Sequence, residues 1–368
     1  MLSATDQFTT RVYNIAVLPG DGIGPEVMDE AVKILKKVEE LLSHSHDCCT
    51  HAASSSPPHG SLEELPSVRF NLVYGLVGGA AWEKYGSHLP EETIQLVDRS
   101  DAVLFGSVGG PVNAADDPKW KDAERNSLLG LREHLSLGVN VRPAVVFSSM
   151  KHLSPLKNER IAKGVDLLVV RELLGCVYFG EHRTEGDVAT DVMRYTKAQI
   201  VKALEFAFQV AQLQPSKERR KVTVVDKANV LDCSRLWRRT AMEVRRGFPD
   251  VRLEFMYVDT AALQLLLNPC SLSVIATGNL FGDILSDLAS GLPGSLGLMP
   301  SVSFGSKIHL YEPAGGSAQD IAGKNQANPV AQILSMAMML RYSFGLDLIA
   351  TGVQKAVEEV SSYRDIIN

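Results

Sequence analysis

The sequence has 368 residues, of which 45% are hydrophobic and 22% charged, and its formal net charge is −6. This length favours about two domains, and the acidic balance argues against a nucleic-acid-binding protein while leaving room for a local arginine cluster that binds an anionic small molecule. The sequence has no apolar run of the ~20 residues that a membrane helix needs, and it has no targeting signal. Its five cysteines, an odd count, do not suggest a disulfide framework. We therefore expect a cytoplasmic protein.

The first predicted elements are a strand at residues 14–18, a glycine-rich turn and a helix whose apolar residues recur at helical spacing between residues 31 and 42. Residues 43–67 then hold seven Ser, four His and three Pro without periodicity, which predicts a loop or a disordered insertion. A zinc site is the alternative for the histidines and cysteines of this segment, but their spacing fits no usual zinc framework. These residues are His44, His46, Cys48, Cys49, His51 and His59.

After the insertion, short apolar strands alternate with amphipathic helices. Strands are predicted at residues 70–74, 102–106, 166–170, 222–225 and 273–276, and helices at 91–100, 197–213, from about 281, and 333–340. Residues 178–195 hold two extended segments around glycine and could form a hairpin arm. The alternation predicts an α/β fold with a mixed or parallel sheet.

Three arginines are candidates for binding a carboxylate substrate. Arg132 and Arg142 lie ten residues apart, and Arg171 ends a buried strand, where open α/β sheets place their ligands. Guanidinium groups bind carboxylates with two parallel hydrogen bonds and stay charged. Any one of them alone would be interpreted as half of a surface ion pair.

Two carboxylates at helical spacing suggest a metal site. Asp283 and Asp287 are four residues apart, so on a helix both face the same side. A hard divalent cation such as Mg²⁺ would stabilise that pair, with Asp259 as a possible third ligand. The alternative, which the spacing leaves equally open, is a helix N-terminus that uses acids to offset its dipole.

Two further features are weaker on their own. Lys227 follows a buried strand closely; beside a cation or arginines it could act as a base, but a lysine at a strand end is more often simply solvated. The glycine-rich segment 312–323 could hold phosphates, and Asp320 would favour NAD over NADP by repelling a 2′-phosphate. Neither this segment nor the turn at residues 19–25 matches the Rossmann fingerprint, and glycine-rich turns are often only turns.

Together, in this order, these segments resemble the β-decarboxylating dehydrogenases, and most closely those that act on 3-isopropylmalate. The resemblance covers nearly the whole chain outside residues 43–67. It implies an NAD-dependent, Mg²⁺- or Mn²⁺-dependent oxidative decarboxylation by a homodimer. The matching segments are 18–26, 106–111, 128–132, 141–143, 171–173, 178–180, 226–230, 279–287 and 312–329.

The resemblance also implies residue roles. Arg132, Arg142 and Arg171 would hold the two malate carboxylates, and Asp283, Asp287 and a partner subunit's copy of Asp259 would hold the metal ion. Lys227, also reaching across the dimer, would take the C2 hydroxyl proton, and Tyr178 would protonate the enol carbon after CO₂ leaves. The residues implied to contact NAD, or to lie where the nicotinamide meets the substrate, are Ile23, Gly109, Gly110, Pro111, Glu312, Gly315, Gly316, Ser317, Ala318, Asp320 and Asn328.

Substrate choice depends on few residues. Leu128 and Leu129 would offer an apolar wall to an isopropyl group, where the related isocitrate enzymes place polar groups. Arg125 departs from that apolar character, and one or two methylenes discriminate by only about 1–3 kcal/mol. Isocitrate, homoisocitrate or another alkylmalate therefore stays an alternative substrate.

The fold implied is α/β, with two domains around a shared mixed sheet, and is not a Rossmann fold. Residues 1–137 with 295–368 would form the NAD-binding domain, and residues 138–294 the domain with the arm, the metal ligands and the catalytic residues. Three departures are the insertion at 43–67, a last element that looks shortened, and Gly315 where histidine is common. The shortened end makes a catalytically impaired member the second hypothesis, although the expected catalytic residues are all present.

Overall fold

The computed structural model describes residues 10–49, 67–114 and 116–361, without the side chains of residues 44–49. Within this part of the chain the strands are β1 (Arg11–Gly20), β2 (Val68–Tyr74), β3 (Ala102–Ser107), β4 (Val139–Val146), β5 (Val165–Glu172), β6 (His182–Glu185), β7 (Val188–Asp191), β8 (Lys221–Asp226), β9 (Arg252–Tyr257), β10 (Val274–Thr277), β11 (Pro300–Phe304) and β12 (Leu310–Pro313). The helices are α1 (Gly24–Cys49), α2 (Gly79–Tyr85), α3 (Glu91–Asp98), α4 (Gly130–His134), α5 (Asn158–Ile161), α6 (Lys197–Gln212), α7 (Asp232–Val244), α8 (Val258–Leu267), α9 (Asn279–Ser290), α10 (Val330–Tyr342) and α11 (Asp347–Val360). No helix in these ranges is long and apolar enough to cross a membrane.

Ten of these strands form one mixed sheet in the order β2-β1-β3-β12-β11-β4-β5-β10-β8-β9. Adjacent strands are parallel from β2 to β12 and from β5 to β9. Between these two stretches, β11 is antiparallel to both β12 and β4, and β4 is antiparallel to β5. The predicted mixed α/β sheet is therefore confirmed. At the centre, β11 pairs with β12 on one side and with β4 on the other, and β4 pairs with β5, so strands from distant parts of the chain become neighbours.

Apolar burial explains why these segments form the sheet. Residues 15–18 of β1 and all of β3 are buried, as expected for central strands that are covered on both faces. Helix α1 packs on this half of the sheet through Met28, Ala31 and Leu35, none of which is exposed. On the other half, Leu285 and Ala289 of α9 belong to a second apolar cluster with residues of β4, β5 and β10. The opposite side of α9 is thereby left to polar side chains.

The predicted break at residue 43 is wrong, because α1 continues to Cys49. Glycine and proline, the strongest helix breakers, are absent from residues 26–56. The helical backbone hydrogen bonds therefore continue after the periodic apolar residues end. Ser43 supports them with a 2.9 Å hydrogen bond from its hydroxyl to the Glu39 carbonyl. The rest of the insertion, the side chains of the zinc hypothesis and the terminal residues 362–368 lie outside the described part of the chain.

The predicted hairpin arm is confirmed. β6 and β7 pair antiparallel, and all eight of their residues are exposed. The arm is a two-stranded sheet of its own, separate from the ten-stranded sheet. An isolated two-stranded hairpin is only marginally stable in water, and none of the residues of these two strands is covered within this chain.

Candidate active site

A cleft of about 750 Å³ lies beside the central strands β12, β4 and β5. It gathers many of the residues that the sequence singled out, from segments more than 180 positions apart. Eight of these residues are polar or charged: Arg125, Arg132, Arg142, Arg171, Tyr178, Asp283, Asp287 and Glu312. Leu128, Leu129, Gly109, Gly110, Pro111, Gly315 and Gly316 also line it. The structure therefore places most of the residues predicted to contact substrate or nicotinamide around one opening, although Ile23 is not among the residues that line it.

The three arginines are buried charges at close quarters. Arg132, Arg142 and Arg171 are only 5%, 5% and 2% exposed. Burial, followed by the neighbouring charges of Arg142 and Arg132, lowers the pKa of Arg171 to about 10. Since buried like charges repel one another, this cluster favours a ligand with several negative charges.

The apolar wall of the cleft comes from an irregular helix. Arg125–Leu129 form a π-helix that runs directly into α4, and π turns of this kind are frequent at functional sites. Leu128 is 8% exposed and, like Leu129, lines the cleft. Arg132, one turn after these leucines, donates from Nη2 to Glu312 at 3.3 Å. One helical segment therefore presents an apolar wall and a buried guanidinium group to the same space.

Helix α9 carries the two acids into the cleft. Asp283 accepts hydrogen bonds from Arg171 and, at 2.8 Å, from the Tyr178 hydroxyl, while Asp287 accepts from Arg142 Nη1 at 3.1 Å. Although burial alone would raise the pKa of Asp283, Arg171 and Tyr178 hold it below its usual value. Burial raises the pKa of Asp287. Oxygen donors four residues apart on one helix face suit a hard divalent cation.

Two residues of the predicted catalytic and metal-binding set lie elsewhere. Lys227 Nζ is 2.7 Å from Asp259 Oδ1, and neither residue lines the cleft. The hydrogen bond from Lys227 lowers the pKa of Asp259. The described residues of this one chain accordingly contain no group of three or more His, Cys, Asp or Glu that could hold a metal ion.

The glycine-rich segment lies against the turn that follows β1. The Ile23 amide donates to the Ser317 carbonyl at 2.8 Å, and Gln319 donates to the Gly109 carbonyl at 2.6 Å. Ala318 has a positive φ of 37°, and Asp320 is exposed. The Asn328 side chain accepts from the Val330 amide at 3.0 Å, where α10 begins. This part of the chain therefore joins the predicted phosphate-binding and nicotinamide segments into one surface.

The sequence reasoning missed several residues of the site. Asp21 is buried, and its carboxylate accepts the backbone N–H groups of Gly79, Ala80 and Gly109 at 2.9, 3.0 and 3.2 Å. Burial raises its pKa despite these bonds. Trp120 and Glu124 also line the cleft. An acid placed between glycines in the turn 19–25 was the available signal for Asp21, whereas the other two had none.

Comparison with known proteins now decides the family. A profile of the family described as isocitrate/isopropylmalate dehydrogenase matches residues 59–365. The chain belongs to this family. Its predicted α/β fold, and the resemblance on which that prediction depended, are confirmed.

Relatives within the isocitrate/isopropylmalate dehydrogenase family are similar over nearly their whole length. A 3-isopropylmalate dehydrogenase of Thermotoga maritima is 48% identical, covering 94% of this chain and 90% of the relative. One of Bacillus licheniformis is 47% identical, covering 94% and 87%. Among solved structures, isocitrate dehydrogenase from Methylococcus capsulatus superposes with a TM-score of 0.78 at 32% identity, covering 95% and 91%. A β-decarboxylating dehydrogenase from Thermococcus kodakarensis gives 0.67 at 36% identity, covering 94% and 88%.

Proposed function

We propose that this protein oxidises 3-isopropylmalate with NAD and releases CO₂, giving 2-oxo-4-methylpentanoate, a step of leucine biosynthesis. The observation that carries the proposal is the cleft in which three buried arginines face Leu128 and Leu129. The relatives named 3-isopropylmalate dehydrogenase, at 43–48% identity, agree with this substrate.

The arginines and leucines divide the recognition of the substrate. Arg132, Arg142 and Arg171 bind the two carboxylates, because their guanidinium groups are fixed, charged and poorly solvated. Leu128 and Leu129 contact the isopropyl group. A third carboxylate at that position would lose its water against leucine, so isocitrate is disfavoured.

The cofactors fit the residues that are present. Asp283 and Asp287 would hold Mg²⁺ or Mn²⁺, which supplies Lewis-acid polarisation of the C2 oxygen and its neighbouring carboxylate. NAD supplies the hydride acceptor. Its nicotinamide end would lie near Ile23, Glu312 and the Gly109–Pro111 turn, and its adenosine part near Gly315, Gly316, Ser317, Ala318, Asp320 and Asn328.

Two side chains of the protein handle protons. Lys227 removes the proton of the C2 hydroxyl as hydride leaves that carbon. After CO₂ departs, Tyr178 donates its phenolic proton to C3 of the enol. Burial, together with the adjacent Asp283, raises the pKa of Tyr178, so this residue holds its proton at neutral pH.

The active unit we propose is a homodimer in which Lys227 and Asp259 of each chain complete the partner's cleft. These two residues do not line the cleft of their own chain. The surface around them on α7, α8 and α9 carries exposed apolar side chains that a second copy would cover. They are Met242, Leu263, Leu266, Leu267 and Ile284, which are 43–58% exposed.

The domain division stays part of the proposal. Residues 1–137 with 295–368 would form one lobe and residues 138–294 the other, with the cleft between them. Loops 106–112 and 312–316 come from the first lobe, and Arg142, Arg171 and α9 from the second. A cytoplasmic location belongs to the same proposal.

A substrate comparison tests the function. The purified protein is assayed with Mg²⁺ and NAD on 3-isopropylmalate, isocitrate, homoisocitrate and malate, and then with NADP in place of NAD. We expect the highest kcat/KM on 3-isopropylmalate and a preference for NAD, since Asp320 repels a 2′-phosphate. A higher kcat/KM on isocitrate would overturn the proposal.

A further inference from the structure

Two of the three arginines proposed to bind substrate each donate a hydrogen bond from Nε to a buried asparagine side chain. Arg171 Nε donates to the side-chain oxygen of Asn279 at 2.9 Å, and Arg142 Nε donates to the side-chain oxygen of Asn140 at 3.1 Å. Both asparagines are completely buried. Arg132 differs, because its buried Nε has no hydrogen-bond partner within the described part of the chain.

The hydrogen bonds of the Asn279 side-chain NH₂ group fix the orientation of its amide. Asn279 Nδ2 donates to the backbone carbonyls of Leu173 and Gly175 at 2.9 and 3.2 Å. A carbonyl can only accept, so the NH₂ group must face this loop and the oxygen must face Arg171. The Asn279 backbone N–H in turn donates to the Tyr195 hydroxyl at 2.7 Å.

Asn140 is fixed in a comparable way by the neighbouring strand. Its Nδ2 donates to the Val302 carbonyl at 3.2 Å and to the hydroxyls of Ser301 and Ser303 at 2.7 and 3.1 Å. The Val302 carbonyl again sets which end of the amide faces the arginine. Both anchors belong to backbone elements, so neither amide needs a ligand to hold its direction.

The consequence for the guanidinium groups is geometric. A bond to Nε fixes the plane of the group and leaves the terminal nitrogens to face the cleft. Arg142 Nη1 reaches Ser286 at 3.0 Å and Asp287 at 3.1 Å, and Arg171 Nη1 reaches Asp283. Without these amides, the two mutually repelling guanidinium groups would be held only through their terminal nitrogens, which are the atoms needed for the substrate.

We propose that Asn140 and Asn279 are positioning residues that aim Arg142 and Arg171 at the substrate carboxylates. This inference rests on the proposed function. Asn279 has a second task, because the carbonyls it holds belong to the loop that leads directly to Tyr178. It therefore links the carboxylate-binding group to the residue that supplies the last proton.

The test compares substitutions that separate the two ends of the Asn279 amide. Asn279→Ala removes both ends and should raise KM for 3-isopropylmalate about tenfold, since hydrogen bonds to charged groups are among the stronger ones. KM for NAD should stay within about twofold. Asn279→Asp keeps the oxygen on Arg171 and loses the donors to the loop, so KM should recover towards wild type. In both variants kcat should fall, because the loop that leads to Tyr178 loses its hydrogen bonds to Asn279. Asn140→Ala should raise KM in the same way as Asn279→Ala.

Matched controls and a double variant exclude a merely structural role. Tyr195→Phe and Ser303→Ala each remove one hydrogen bond from these clusters without touching an arginine, so KM should not change. Because Asn279 acts through Arg171, adding Asn279→Ala to Arg171→Lys should raise KM by less than about twofold. An unchanged KM in Asn279→Ala, no recovery in Asn279→Asp, or full multiplication of the two effects in the double variant would each overturn the inference.

Malate binding keeps this test separate from the proposed function. Malate carries both carboxylates and lacks the isopropyl group, so its affinity, measured by calorimetry, depends on the arginines and not on turnover. A wild-type protein that binds malate but does not oxidise 3-isopropylmalate would disprove the proposed function alone. Equal malate affinities in wild type and Asn279→Ala would disprove the positioning role.

Discussion

Lys227 and Asp259 form an ion pair, with 2.7 Å between Nζ and Oδ1, on a surface that does not line the cleft of their own chain. The Lys227 side chain is 31% exposed and that of Asp259 is 64% exposed. If Lys227 is the base and Asp259 a metal ligand, as we propose, a pair held in this position serves the cleft of a partner chain. The pair is therefore the strongest structural argument for a shared site.

Mixing two inactive variants tests the shared site. Lys227→Ala and Asp283→Asn should each abolish activity, but a hybrid dimer has one site in which both residues are intact. When the two variants are refolded together in equal amounts, random pairing makes half of the dimers hybrids. Each hybrid has one intact site out of two, so about a quarter of wild-type activity should return.

The control mixture combines Lys227→Ala with Asp259→Ala. Both residues then come from the same lobe of the partner, so every site in the hybrid lacks one of them and activity should stay absent. If the first mixture stays as inactive as the second, Lys227 serves its own chain and the shared site is wrong.

Asp287→Asn should weaken the metal site without removing its geometry. The substitution lowers the charge of the oxygen donor pair on α9, and a cation that prefers charged oxygen ligands then binds less tightly. The Mg²⁺ concentration for half-maximal activity should rise at least about tenfold. Asp232→Asn, an exposed acid paired with Arg235 outside the cleft, is the control and should leave the Mg²⁺ titration unchanged. Equal titrations for Asp287→Asn and wild type would remove Asp287 from the metal site.

Much of the site could be predicted because its residues belong to short, contiguous motifs. Arg132 follows Leu128 and Leu129 on one helical segment, and Asp283 and Asp287 share a helix face, so local spacing already contains their relationship. The strands were predicted for a similar reason, since buried parallel strands are continuous apolar runs.

The parts that could not be predicted depend on pairings between distant segments. Nothing in the local sequence of Asn279 shows that Arg171, 108 positions earlier, will lie against it. The antiparallel centre of the sheet, where β11 separates β12 from β4, likewise depends on tertiary pairing. The predicted end of α1 was wrong for a different reason: a helix can continue through polar residues once packing of its apolar face has stabilised it.

Asp21 should contribute both to stability and to NAD binding. Asp21→Ala leaves the backbone N–H groups of Gly79, Ala80 and Gly109 without their acceptor, at a cost of about 2–4 kcal/mol in the free energy of unfolding. Because Gly109 lies in the proposed nicotinamide turn, KM for NAD should rise as well. Urea unfolding and steady-state kinetics measure the two effects.

Asp101→Ala is the matched control for Asp21. Asp101 also accepts a backbone N–H, that of Asn14 at 2.7 Å, but it is exposed and water can replace it. Its loss should cost less than about 1 kcal/mol and leave KM for NAD unchanged. Equal costs for the two substitutions would show that burial of the Asp21 carboxylate does not decide its contribution.

Glu172 should make the stability of the protein depend on pH. This completely buried carboxyl accepts the backbone N–H groups of Leu174 and Gly175 at 2.8 and 2.9 Å, yet burial raises its pKa from 4.5 to about 7. Between these two values the folded chain keeps a proton that the unfolded chain loses. The free energy of unfolding therefore falls as pH rises from about 4.5 to 7, by up to about 3 kcal/mol from this group.

Glu172→Gln isolates that contribution, because glutamine is neutral throughout. Its single side-chain oxygen keeps one of the two backbone N–H groups, and the loss of the second acceptor is a cost that does not change with pH. Urea unfolding at pH 5, 6, 7 and 8 should show the variant gaining stability relative to wild type as pH rises, with no further gain above about pH 8. Glu185→Gln, on the exposed hairpin, should show a flat difference over the same range. A flat difference for Glu172→Gln, or one that falls with pH, would show that the Glu172 carboxyl is ionised in the folded protein at pH 5 and that its two backbone hydrogen bonds outweigh its burial.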